Sequence, residues 1–187
     1  MNIPKIIADE LNVKIWQVEK TIELIDDGNT IPFISRYRKE VTGSLNDEQL
    51  RNLDERLTYL RNLDEKKTQV LATIDEQGKL TDELKKQIED AMTMVAVEDL
   101  YRPYRPKRRT RATIAKEKGL EPLAQSLLKQ DIADINMEAS NYINTEKGVE
   151  NVEDALKGAL DIIAEVVSDD AEIRKYIRKL AIDHGIV

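Results

Sequence analysis

Apolar residues recur at intervals of three and four along almost the whole chain, the period at which side chains share one face of an α-helix. Ile6, Ile7, Ala8 and Leu11 predict a short amphipathic helix over residues 6–11, followed by Asn12, a residue that tolerates the left-handed conformation of a tight turn. Ile15, Val18, Ile22 and Ile25 predict a second helix over residues 14–26, and Gly28 closes it. A third, over residues 32–39, starts with Pro32, whose missing N–H costs nothing in a first turn, and stops at Thr42-Gly43-Ser44. Asn46 then opens the longest element. Asn46 and Gln49 have capping-box spacing, Asp47 and Glu48 suit the positive end of the helix dipole, and no breaker appears before Gly78. Leu50, Leu53, Leu57, Leu60 and Leu63 form its stripe, which falters at Asp64 and Lys67 and resumes at Val70, Leu71 and Ile74. About 30 residues at 1.5 Å each make a strut of roughly 45 Å.

Thr81 caps a further helix predicted to reach residue 97. Helices over 110–118 (ended by Gly119), 121–129, 151–166 and 169–183 follow, the last capped by Ser168 and closed by Gly185. Residues 131–150 read as a looser acidic connection with a short helix near 138–143. No strand alternation of useful length and no solenoid period appears. The expected fold is all-α: a multi-helix array with a helix-turn-helix-like hairpin over 1–28 and one continuous helical unit over 29–187. The chain ends on the apolar pair Ile186-Val187 directly after a helix end, which suggests a piece of a longer protein.

Composition narrows the class. The chain has 187 residues, 41% hydrophobic and 35% charged, with 7 Gly and 5 Pro, as expected of a helix-rich domain with long solvated faces. Aromatics are only 4%, so aliphatic side chains must carry the core. No apolar run is long enough to span a bilayer, no secretory signal opens the chain, and cysteine is absent, so the expectation is a cytoplasmic protein with no membrane role. Catalysis finds little support: His184 is the sole histidine and sits at a helix end, and there is no thiol nucleophile or Gly-rich phosphate loop. Pairs such as Glu98-Asp99 and Asp169-Asp170 read as solvated faces or caps. The expectation is therefore a non-enzyme with neither cofactor nor metal.

The net charge of −7 hides a segregation. Residues 102–111 hold Arg102, Arg105, Lys107, Arg108, Arg109 and Arg111 and no acid. Those six come from 29 basic residues, so 23 remain against 36 acids, a net of −13 for the rest of the chain. Pro103 and Pro106 push Arg102 and Arg105 toward extended backbone, where three residues per turn would align Arg102, Arg105, Arg108 and Arg111 along one edge. Guanidinium groups match phosphate with a flat bidentate donor edge, and Tyr101 and Tyr104 are placed to stack on bases. Equally, the arginines can be clasped by the chain's own acids. Residues 31–40 pose a similar choice: Arg36, Tyr37, Arg38 and Lys39 suit phosphate and base contacts, or Arg36 pairs with a helix carboxylate while Phe33 and Ile34 fill the core. The hairpin start offers Lys14, Trp16, Gln17 and Lys20 to a DNA groove, but Glu19 and Glu23 would face phosphates, and simple packing explains the same spacing.

Two long stretches carry a resemblance. Asn29-Thr30-Ile31-Pro32-Phe33-Ile34-Ser35-Arg36-Tyr37-Arg38-Lys39-Glu40-Val41-Thr42-Gly43 resembles the N-terminal region of Tex proteins, the bacterial transcription accessory factors. So do residues 98–112, which include the basic segment, residues 119–124, and the run Ala155-Leu156-Lys157-Gly158-Ala159-Leu160-Asp161-Ile162-Ile163-Ala164-Glu165. The resemblance implies the helical amino-terminal part of a longer protein, in which a YqgF-like domain, helix-hairpin-helix elements and a C-terminal OB-fold RNA-binding domain follow. It implies association with nucleic acid and the transcription machinery, and contact with the remaining domains. The expected role is a scaffold module contributing to RNA or DNA binding through Arg102, Arg105, Lys107, Arg108, Arg109, Arg111, Arg36, Arg38 and Lys39. The alternative is a purely structural or protein-interaction module.

Overall fold

A computed structural model describes residues 1–106, 108–130 and 132–185; Lys107 and the terminal Ile186-Val187 lie outside them. Among the described residues there are eleven α-helices, two short 3-10 segments and no strand, with one isolated bridge between Asn144 and Val149. The all-α expectation is met. The chain divides into two compact units, Met1–Val97 and Glu98–Val187, so the expected boundary after residue 28 falls inside the first unit.

The first unit is built on its long helix. Helices α1 (Ile3–Leu11), α2 (Ile15–Asp26) and α3 (Ile31–Tyr37) all pack on α4 (Asp47–Glu76). α1 starts earlier than the periodicity predicts because the Asn2 side chain accepts from Lys5 N–H at 3.1 Å and Pro4 fits the first turn. Asn12 ends it in the left-handed region at φ 52°. Asn46 and Gln49 form the predicted capping box on α4. Leu50, Leu53, Leu57, Leu60, Leu63, Val70 and Ile74 are all buried, each contributing about 1.5–3 kcal/mol by leaving water. Charge ties the flanks: Arg56 grips Glu10 of α1 at 2.6 and 2.7 Å, and Arg61 grips Asp26 of α2 at 2.8 Å on both oxygens. The hydrogen bonds from Arg61 hold the Asp26 carboxyl below its ordinary pKa.

Lys67, where the stripe falters, is only 5% exposed. Its ammonium donates at 2.7 Å to the carbonyl of Glu89, one of the unpaired carbonyls at the end of α5 (Asp82–Asp90). Burial lowers its pKa despite nearby acids. The helix predicted over 81–97 is interrupted. Ala91 is extended, the Thr93 hydroxyl accepts from Ala96 N–H at 3.2 Å, and α6 (Met94–Tyr101) starts afresh with Met94 N–H donating to the Tyr59 hydroxyl at 3.0 Å. A threonine cap and one tertiary hydrogen bond override the helical pattern there.

The second unit forms around α10 (Val152–Asp169), which packs against α7 (Arg111–Glu117), α8 (Glu121–Lys129), α9 (Ile135–Ser140) and α11 (Ala171–His184). Its core is made of small and branched residues: Ala155, Ala159 and Ile162 of α10 meet Ala112, Ala115, Leu120, Leu123, Ala124, Ala139 and Val149. Residues 132–150 are therefore less loose than expected, since Ala139 and Val149 are wholly buried. Ser168 does not cap α11. α10 continues through it to Asp169, and the Asp170 carboxylate accepts from Ile173 N–H at 2.8 Å instead.

Gly158 sets how closely α10 approaches its neighbours: a Cβ there would lie 2.3 Å from Leu120 Cδ1 and 3.3 Å from Ala115 Cβ. Leu120 is 1% exposed and has nowhere to go. Gly158→Val is expected to destabilise the protein by about 1–3 kcal/mol through overpacking. Chemical denaturation checks this, and a variant as stable as the parent contradicts it.

Candidate nucleic-acid interface

The basic segment does not become an extended ribbon as a whole. α6 stops at Tyr101, but Arg102–Tyr104 turns once more as a 3-10 segment, with Arg105 N–H donating to Arg102 C=O at 3.3 Å. Pro103 sits in the first turn of that segment, where its fixed φ is already suitable, so Arg102 keeps a helical path. Arg105, before Pro106, is extended at φ −64° and ψ 140°, as the sequence predicts. Thr110 then caps α7, its hydroxyl accepting from Thr113 N–H at 3.1 Å. Despite the changed backbone, Arg102, Arg105, Arg108 and Arg111 all line one open cleft of about 530 Å³.

The opposite wall belongs to α10, whose Asp161, Glu165 and Asp169 share a face at four-residue spacing. Arg102 Nε donates to Asp169 Oδ1 at 3.0 Å. Thr110 Oγ1 donates to Glu165 Oε2 at 3.0 Å, and Lys116 Nζ lies 3.5 Å from Oε1. Arg105 pairs with Glu98, its guanidinium carbon 5.5 Å from the centre of the Tyr101 ring. Arg109 turns toward Glu117 at 2.7 Å, an exposed pair worth little. Arg108 and Arg111 are exposed and make no ion pair with any described residue. Among the described residues, acids thus hold Arg102, Arg105 and Arg109 and leave Arg108 and Arg111 without an ion pair on the cleft.

Two family models match the chain: Tex-like protein N-terminal domain over residues 1–75, and Tex central region-like over residues 130–187. The chain is similar to the transcriptional accessory protein Tex of Neisseria gonorrhoeae, 51% identical over 173 residues, covering 92% of this chain and 23% of that protein. It is 48% identical over 181 residues to protein YhgF of Escherichia coli, covering 95% of this chain and 23% of that protein. The chain belongs to the Tex family. A human protein named S1 RNA-binding domain-containing protein 1 is 30% identical over 178 residues, covering 94% of this chain and 18% of that protein. The chain therefore spans about a quarter or less of the length of these relatives. No helix among the described residues is long and apolar enough to cross a membrane.

Other residues singled out in this Tex-family sequence have varied fates. Gln17 is consumed internally: its amide nitrogen donates to Thr42 and Gly43 carbonyls at 3.2 and 2.9 Å, and its oxygen accepts from Lys14 N–H at 3.0 Å. The Trp16 ring is packed so closely on Gly43 (φ +63°) that a Cβ there would fall 2.5 Å from its Cη2. Lys20 pairs with Glu23 at 2.6 Å. Gln17 and Trp16 at the start of α2 thus pack on the 42–43 turn. Arg36, Arg38 and Lys39 belong to the first unit and have no ion pair with a described residue. His184 occupies the last turn of α11, at the negative end of its dipole.

Asp99, read from sequence as part of a solvated face or cap, is an internal anchor instead. It is 5% exposed, not on a solvated face, and accepts from Arg174 Nε and Arg178 Nη2, each at 2.7 Å. Arg174 and Arg178 are one helical turn apart on α11, which has no buried residue of its own, so this carboxylate ties two successive turns of it. Burial pushes the Asp99 carboxyl up, but hydrogen bonds and charge from the two arginines prevail and set its pKa below the usual 3.8. Because the folded value is depressed, the stabilisation is whole above the unfolded carboxylate pKa and is lost as pH falls through the folded one. Asp99→Asn is expected to cost about 1–3 kcal/mol at neutral pH, with the parent approaching the variant's stability only below about pH 4. Thermal melting against pH reads this; equal melting at pH 7 would refute it.

Proposed function

We propose that this chain is a helical scaffold module of a Tex-like transcription accessory factor, acting in the cytoplasm by binding and placement and not by catalysis. In this reading it contributes phosphate contacts to RNA or DNA and docks to the transcription machinery and to the remaining domains of its protein. The observation that carries it is the pair of exposed guanidinium groups on a shared cleft, Arg108 and Arg111, that no carboxylate among the described residues pairs with. A guanidinium without a carboxylate partner is a ready bidentate donor for a phosphate. The names of the relatives, one a transcriptional accessory protein and one an S1 RNA-binding domain-containing protein, agree with a nucleic-acid setting.

A second reading draws on the pairs Arg102–Asp169 and Arg105–Glu98, which make part of the segment a structural clasp. The two roles separate by residue. Arg108→Gln with Arg111→Gln is expected to weaken binding to single-stranded RNA and duplex DNA, and to make the slope of log K against log salt shallower by roughly 1.5, at about 0.7–0.9 per phosphate contact. Arg102→Gln is expected to lower the melting temperature and leave that slope alone. A salt titration of the three proteins decides, and a double variant with the parent's slope removes the phosphate role.

A further inference from the structure

The first unit carries an aromatic and cationic surface that the cleft of residues 102–111 does not explain. The sequence offered Phe33 as core, yet Ile34 alone takes that place and is fully buried, while Phe33 is 36% and Tyr37 55% exposed. They lie one turn apart on α3, ring centres 5.3 Å apart and planes tilted by 48°. The Arg38 guanidinium carbon sits 5.0 Å from the centre of the Phe33 ring, and that of Arg36 sits 6.0 Å from the centre of Tyr37. Arg36, Arg38 and Lys39 have no ion pair with a described residue, although Glu40 follows directly in the chain.

Leaving about a third of the sole phenylalanine of an aromatic-poor chain open to solvent forfeits burial that the core could use. Arg36 is exposed and Arg38 half-buried, and both lie beside rings with no ion pair to a described acid. Alternating rings and guanidinium planes, with cations beside them, present flat surfaces for bases and charge for the backbone that joins them. We infer that Phe33, Tyr37, Arg36, Arg38 and Lys39 form a base-stacking site for single-stranded nucleic acid, independent of Arg108 and Arg111. Stacking is sequence-tolerant, because every base has a π-face, and it does not read the sugar.

The test uses the 187-residue chain and three end-labelled 12-mers of equal phosphate count: oligo(U), oligo(dT) and an abasic strand. Fluorescence anisotropy at low salt is expected to show the two base-bearing strands bound at least about fivefold more tightly than the abasic one, from the usual stacking contribution per ring. Phe33→Ala with Tyr37→Ala is expected to erase that ratio, whereas Tyr37→Trp keeps it; circular dichroism verifies that each variant is folded. Arg108→Gln with Arg111→Gln is expected to weaken all three strands and preserve the ratio, so the two sites fail or stand separately. No binding by the folded parent, equal affinity for base-bearing and abasic strands, or an unchanged ratio in the double alanine variant each overturns the stacking site.

Discussion

Six cations crowded into ten residues repel one another, and a folded chain eases that repulsion by bringing carboxylates to some of them. The second unit meets that constraint with α10 and α6. Asp169 takes Arg102, Glu98 takes Arg105, and Glu117 takes Arg109. Glu165 is engaged by Thr110 and Lys116, which fixes the start of α7 against α10. This division of the charge holds the segment's backbone in place and decides which guanidinium groups remain outward. Among the described arginines of this segment, three are clasped by carboxylates and two, Arg108 and Arg111, have no ion pair with a described residue.

The placement of those carboxylates rests in turn on close helix packing. Gly158 and the alanines of α10 let α7 and α8 approach until side chains interlock, and the next turns of the same helix then project Asp161, Glu165 and Asp169 along one line. Asp99 performs a comparable service for α11, whose residues are otherwise too exposed to fasten it by burial. The first unit relies on a different arrangement. Its long leucine stripe supplies the burial, and Arg56 and Arg61 merely fix the helices that lie on it.

Much of this was legible in the sequence because it depends on neighbours in the chain. The capping box of Asn46 and Gln49, the left-handed Asn12 and the span Glu121–Lys129 all follow from local rules, and each is found where the pattern put it. The basic cluster was plain, but the partners of its arginines were not. Asp169 lies 67 residues from Arg102, and Asp99 lies 75 from Arg174, distances over which no periodicity speaks. The same limit explains Lys67, which looked like a flaw in an apolar stripe and instead caps α5, and Phe33, for which a core place was one of two open readings. The polyproline edge failed for a local reason: Pro103 accepts a place in a helical first turn as readily as in an extended strand.

The central claim is that the segment's guanidinium groups are divided between internal carboxylates and an outside polyanion. Arginine Nε–Hε resonances report this directly, residue by residue, as a short single strand is added to the 187-residue chain. The account predicts that Arg108 and Arg111 shift and saturate together while Arg102 and Arg105 stay where they are. Equal shifts at all four arginines, or none at Arg108 and Arg111, would contradict it.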